Sequence, residues 1–128
     1  MRIYLAGPLF STAERDFNAT LAKELRRRKH DVFVPQEEEG DNTPSSIFRV
    51  DLHGLNMADC VVAGLDGSDV DSGTAFEIGY AFAQRKTVYG LRTDKRVAEA
   101  GCPVNLMINF AVDKMFFTVE SLLEAFEQ

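Results

Sequence analysis

"CVVAGLD", residues 60–66, decides how the rest of the chain is read. The run is apolar at consecutive rather than alternate positions, with valines at its centre. A strand with one wet face alternates; a strand apolar throughout is covered on both faces, as in the middle of a parallel sheet. Parallel neighbours need crossover connections, usually helices, so helical segments are expected on either side. "DSGTAFEIGYAFAQ" (71–84) supplies one, predicted as a helix over 72–84 with Asp71 as its cap. Upstream, a helix is expected from about Ser45 to Met57, carrying Ile47, Val50, Leu52 and Leu55 together with Asp51.

Further out the alternation continues. "RIYLAG" (2–7) reads as a strand that breaks at Gly7-Pro8, and Ser11 with Glu14 forms a capping box for a helix striped by Phe17, Leu21 and Leu25. "DVFVP" (31–35) is a second strand, "TVYGLR" (87–92) a fourth and "KMFF" (114–117) a fifth. Thr118 caps a terminal helix bearing Leu122, Leu123 and Phe126. The polar segment 36–46 reads as a mobile surface loop, and 93–104 as a loop or short helix. Strand–helix alternation repeated about five times predicts a single α/β domain over 1–128 with a parallel sheet and right-handed crossovers. Ligands in such sheets bind beyond the carboxyl ends of the strands, which directs attention to Gly7-Pro8, to 66–71 and to 93–104.

Composition narrows the chemistry. A net charge of −6 argues against a nucleic-acid partner, and the basic run "RRRKH" (26–30) suits a helix C-terminus. Cys60 and Cys102 are too far apart for a zinc or redox motif, and His30 and His53 have no ligand-spaced companions, so no metal is expected. No leader-like start or apolar run of about 18 residues is present, which predicts a cytoplasmic protein without membrane contact. Glycine-spaced dinucleotide and phosphate-loop signatures are absent. Ser72 lacks the glycines of a nucleophile elbow.

Carboxylates remain: Asp51, Asp69, Asp71 and Glu77. Two readings of Glu77 stand side by side. On a helical wheel it shares a side with Gly73, Tyr80, Ala81 and Gln84, a modestly polar strip that suits water. Alternatively, the helix is packed beside the ligand crevice, Gly73 opens room one turn earlier, and a partly desolvated carboxylate is the better nucleophile or base. Tyr4 is either a half-buried strand residue or a hydroxyl that reaches this carboxylate. Asp51 is either a surface residue or a second acid. Asn105 is a turn cap and Met107 core packing on the plainest reading.

Four stretches in order, "IYLAGPLF" (3–10), "DLHGLNMADCVVAGLD" (51–66), "DSGTAFEIGYAFA" (71–83) and "PVNLM" (103–107), resemble the nucleoside 2-deoxyribosyltransferases. The resemblance implies a flavodoxin-like three-layer sandwich around a five-stranded parallel sheet. It implies an enzyme of nucleoside salvage that exchanges bases on 2′-deoxynucleosides without a cofactor. Glu77 would be the nucleophile at C1′, Tyr4 its orienting hydroxyl and Asp51 the acid that protonates the departing base. Gly7, Phe10, Asp71 and Gly73 would contact substrate. Asn105 and Met107 would be lent to a neighbouring subunit's active site, making a homo-oligomer, a dimer or an assembly of dimers. A sister group of deoxynucleotide N-hydrolases carries serines where Asp71 and Asn105 stand here, so these two residues favour a free 5′-hydroxyl over a phosphate. Transfer to purine or pyrimidine bases, hydrolysis to free base, and ligand sensing without catalysis are the three functions to be separated.

Overall fold

A computed structural model describes residues 1–38 and 43–127. Five strands, β1 (Arg2–Ala6), β2 (Asp31–Phe33), β3 (Cys60–Gly64), β4 (Thr87–Leu91) and β5 (Lys114–Phe116), form one sheet in the order β2-β1-β3-β4-β5. Every pairing is parallel. Helices α1 (Thr12–Arg27), α2 (Pro44–Met57), α3 (Ser72–Ala83), α4 (Leu106–Ala111) and α5 (Val119–Ala125) cover it. Chain order reverses between β1 and β3, and that reversal opens a crevice at their carboxyl ends. The architecture is flavodoxin-like.

Two cores, one on each face of the sheet, explain the apolar run that opened the sequence. Cys60 and Val62 point with Ile3 and Leu5 into the core closed by Leu21, Leu25, Leu122 and Leu123 of α1 and α5. Val61 and Ala63 point with Tyr4 and Ala6 into the other, closed by Leu55 of α2 and by Ile78 and Ala81 of α3. A strand serving both cores has no wet face, so alternation disappears. Burying each such aliphatic side chain stabilises the fold by roughly 1.5–3 kcal/mol.

Local signals hold at the helix starts. Ser11 and Glu14 make the reciprocal capping box of α1, and Asp71 caps α3 by accepting the Thr74 N–H. Thr118 caps α5. The basic run closes α1 as expected, with Arg28 donating to the Glu24 carbonyl and to its carboxylate.

Some details sharpen expectation and others depart from it. α2 starts at Pro44, with Thr43 as its cap. Within α2, Ile47 and Val50 lie on the exposed side, and only Leu55 of the anticipated stripe is fully buried. "LMINFA" (106–111) is a helix, α4, capped by Asn105; six residues of mostly apolar sequence carry too little periodicity to announce it. Pro35–Glu37 wind into a short 3-10 turn at the start of the 36–46 segment, and residues 39–42 lie outside the described residues. Residues 93–104 contain no helix among the described residues and are tied by a bridge between Glu99 and Cys102.

Arg92 is nearly inaccessible at the end of β4 and donates to the carbonyls of Leu65, Gly67 and Arg96. It pins the loops after β3 and β4, and so fixes the approach to Asp71 and α3.

Candidate active site

Helical spacing builds the site from two sides. On α2, Phe48, Asp51, Leu52 and Leu55 fall at i, i+3, i+4 and i+7; on α3, Gly73, Phe76 and Glu77 fall at i, i+3 and i+4. These seven residues line one cavity of about 300 Å³. A Cβ added to Gly73 would meet only the Asp71 carboxylate, at 3.3 Å, so this side of α3 is open space.

Beneath the cavity sits Tyr4, with no accessible surface. Its hydroxyl donates to Glu77 Oε2 across 73 positions of sequence. A buried hydroxyl without an acceptor is destabilising by about 1–3 kcal/mol, which holds this pair together. The Tyr4 ring stacks on Phe33 with centroids 5.3 Å apart and planes 12° from parallel. Phe33 in turn lies against Gly54, where a Cβ would fall 2.7 Å from the ring. Only glycine lets α2 approach this closely, and the result is a continuous brace from α2 through β2 and β1 to Glu77.

The electrostatics follow from burial. Desolvation pushes the Glu77 carboxyl up to about 7, against the hydrogen bond from Tyr4, which favours the ion; the charges of Asp51 and Asp71 add to the rise. Asp51 is raised too, by burial first and by the Glu38 charge second. Burial and the Glu77 charge drive the Tyr4 phenol well above the tyrosine range, so it remains a donor. Burial thus pushes both carboxyls of the cavity toward their neutral forms. The Tyr4 donor opposes that push at Glu77 by favouring its ionised form.

Asp71 Oδ2 accepts from both the Thr74 N–H and its hydroxyl, at 3.0 Å each. Its other oxygen has no partner among the described residues. Glu77, Asp51, Tyr4 and Gly73 therefore converge, with Asp71 at the adjoining cap.

The other anticipated residues do not join them. Gly7 is half-buried in the turn after β1, and the exposed Phe10 donates its N–H to Glu14; neither lines the cavity. Asn105 and Met107 lie across α3, on a second cavity of about 670 Å³ shared with Asp69, Ile78, Phe82 and Phe110. Sequence reasoning missed Phe48, Phe76 and the Gly54–Phe33 brace. The i, i+3 spacing of Phe48 to Asp51 and of Gly73 to Phe76 was the available signal. Among the described residues no group of three His, Cys, Asp or Glu side chains is placed to hold a metal, and no helix is long and apolar enough to cross a membrane.

Comparison with known proteins adds a second line. A family model described as nucleoside 2-deoxyribosyltransferase matches residues 3–107. An uncharacterized protein of Ureaplasma parvum is 36% identical, over 76% of this chain and 73% of its own length. A 2-deoxyribosyltransferase of Leishmania mexicana superimposes with a TM-score of 0.81 at 25% identity, covering 98% of this chain and 95% of the other. One from Bacillus psychrosaccharolyticus gives a TM-score of 0.84 at 24% identity, covering 99% and 96%, a likeness of fold.

Proposed function

This chain belongs to the nucleoside 2-deoxyribosyltransferase family, and from that premise we propose that it moves 2-deoxyribosyl groups between nucleobases through a covalent ester on Glu77. The observation that carries the reading is the desolvated Glu77 carboxyl, oriented by Tyr4 and sharing one cavity with Asp51.

In the first half-reaction a Glu77 oxygen attacks C1′ as the bond from C1′ to the base nitrogen breaks. Asp51 gives its proton to the departing base and becomes a carboxylate. In the second, a new base attacks C1′, its N–H proton passes to Asp51, and Glu77 leaves as a carboxylate. Two inversions return the original configuration, and the covalent stage divides one hard substitution into two easier ones. With no hydroxyl at C2′, positive charge at C1′ meets less inductive opposition. The residues named need no cofactor for these steps.

Asp71 and Asn105 suit a free 5′-hydroxyl. A 5′-phosphate beside the Asp71 carboxylate is repelled by about 4 kcal/mol per charge pair at an effective dielectric near 20. Hydrolysis is the second reading, favoured by the open mouth of the cavity, where Phe48 is 55% and Phe76 53% exposed. Water reaching the ester would release 2-deoxyribose and restore Glu77, the free base having departed in the first half-reaction.

A homo-oligomer belongs to the same proposal, with Asn105 and Met107 completing a neighbour's site. The 74% exposure of Met107 and 76% of Phe110 on α4 supports it. Mixing and reassembling inactive Glu77→Ala and Asn105→Ala chains should then recover part of the activity; continued inactivity in a mixed assembly would count against lending.

Deoxyinosine incubated with and without adenine separates the readings. Deoxyadenosine formation supports transfer, equal hypoxanthine release without adenine supports hydrolysis, and inertness defeats both. Brief exposure to a 2-fluoro-deoxynucleoside should leave a sugar adduct on the 71–85 peptide, found by mass spectrometry.

A further inference from the structure

Phe48 and Phe76 have no role in the chemistry just described, yet they form the mouth of the cavity whose interior carries Asp51 and Glu77. Both rings are more than half exposed, so the fold gains little from them. Their centroids are 6.4 Å apart with planes tilted by 54°. Behind Phe76, Tyr80 stacks nearly parallel to it, at 6.1 Å and 17°. Tyr80 is itself held from outside, its hydroxyl donating to Asn56 Oδ1 at 2.8 Å and accepting from the Gln84 amide at 3.1 Å. Phe76 is thus supported on one side, while the cavity lies on the other.

We infer that Phe48 and Phe76 form a stacking wall for the planar ring of the nucleobase, and that this wall sets how well a second base competes with water; the inference rests on the reading above. The position follows from connectivity. Phe76 immediately precedes Glu77, and Phe48 lies one helical turn before Asp51, so a base against the wall has the nucleophile at one edge and the proton donor at another. An aromatic face accepts any base, because every base has a π-face, and it needs no hydrogen bond that would compete with Asp51. Holding the incoming ring there raises its local concentration at C1′, whereas water gains nothing from the wall. Phe76 is preorganised by the Tyr80 support, so little of its conformational freedom is lost on binding.

Binding and partition are measured separately. Calorimetric titration of adenine and hypoxanthine uses the Glu77→Gln protein, in which no turnover occurs, and compares it with the same protein carrying Phe76→Ala, Phe48→Ala or Phe76→Leu. Alanine at either position should weaken binding about ten-fold, the usual scale of a lost base–aromatic contact. Leucine, which keeps the apolar bulk without the π-face, should weaken it nearly as much. In the catalytically intact chain, Phe76→Ala should raise the acceptor KM and lower the ratio of transfer to hydrolysis by a similar factor, with hypoxanthine release from saturating deoxyinosine changed only a few-fold. Unchanged adenine affinity in the alanine variants, full affinity in Phe76→Leu, or no base binding by the parent protein at millimolar concentration would each overturn the wall. Failure of the proposed function reads differently: base binding would remain sensitive to Phe76 while no deoxynucleoside is cleaved.

Discussion

The two sides of α3 make a useful contrast. Toward α2 lies the smaller cavity, about 300 Å³, holding two carboxyls raised by burial and a buried tyrosine aimed at one of them. Toward α4 lies a cavity of about 670 Å³, lined by Val70, Ile78, Phe82, Leu106 and Phe110, whose one carboxylate, Asp69, is exposed. Size alone would select the second. Chemistry selects the first, because a charge held out of water against a fixed donor is reactive, and an apolar hollow is not. The larger side instead has the exposed apolar surface expected of an interface.

The largest expected break in this contrast is Glu77→Ala. Transfer and hydrolysis should both fall at least a thousand-fold, measured by base release, with an unchanged circular dichroism spectrum. Retention of more than about a thousandth of the activity would falsify the covalent route. Asp51→Asn should lower the rate about a hundred-fold, most for bases that leave poorly, because a positioned proton donor is typically of that value. An equal loss for good and poor leaving bases would remove Asp51 from proton transfer.

Tyr4→Phe is expected to act more mildly, about ten-fold on kcat/KM. The informative readout is pH. The Tyr4 hydrogen bond lowers the Glu77 carboxyl, which sits at about 7, and the nucleophile must be ionised. Activity should therefore rise with a midpoint near 7 in the parent chain and at higher pH in the variant. A midpoint that stays in place would dissociate the tyrosine from the carboxylate.

Stability provides a check free of substrate. Glu77 titrates higher in the folded chain than the ordinary 4.5. Below pH 4.5 it is protonated in both states and its contribution is complete. From 4.5 to about 7 the unfolded chain ionises first, and about 3 kcal/mol is lost, after which the difference levels off. Glu77→Gln has no such titration, so denaturant unfolding should show it gaining on the parent by about 3 kcal/mol between pH 4 and pH 8. A pH-independent difference would mean the carboxyl is not desolvated. The smallest effect belongs to the other side of α3. Phe110→Asp should alter chain stability by no more than about 0.5 kcal/mol, given its exposure, while light scattering shows the proposed assembly dissociating.

Legibility followed the range of the forces. Asp71, Ser11 and Thr118 could be read as caps because a cap is satisfied within three residues. The 60–66 run could be placed at the centre of the sheet because coverage on both faces imposes apolar residues at every position. α4 could not be read, since six apolar residues without a polar counter-face have no period. The stripe on α2 was misjudged for a related reason: Ile47 and Val50 are apolar yet exposed, while Asp51 turns inward beside Phe48. Hydrophobicity argued for the wrong face because the right one carries an acid.

From its order of residues alone this chain specified an α/β sheet, its capped helices and a family. Those properties depend on contacts a few residues apart or on patterns repeated along the chain. Whether Glu77 faced water or the interior was decided only by folding, which carries a tyrosine 73 positions away beneath it and brings Asp51 alongside from another helix. Desolvation belongs to that assembled environment, and no single segment contains it.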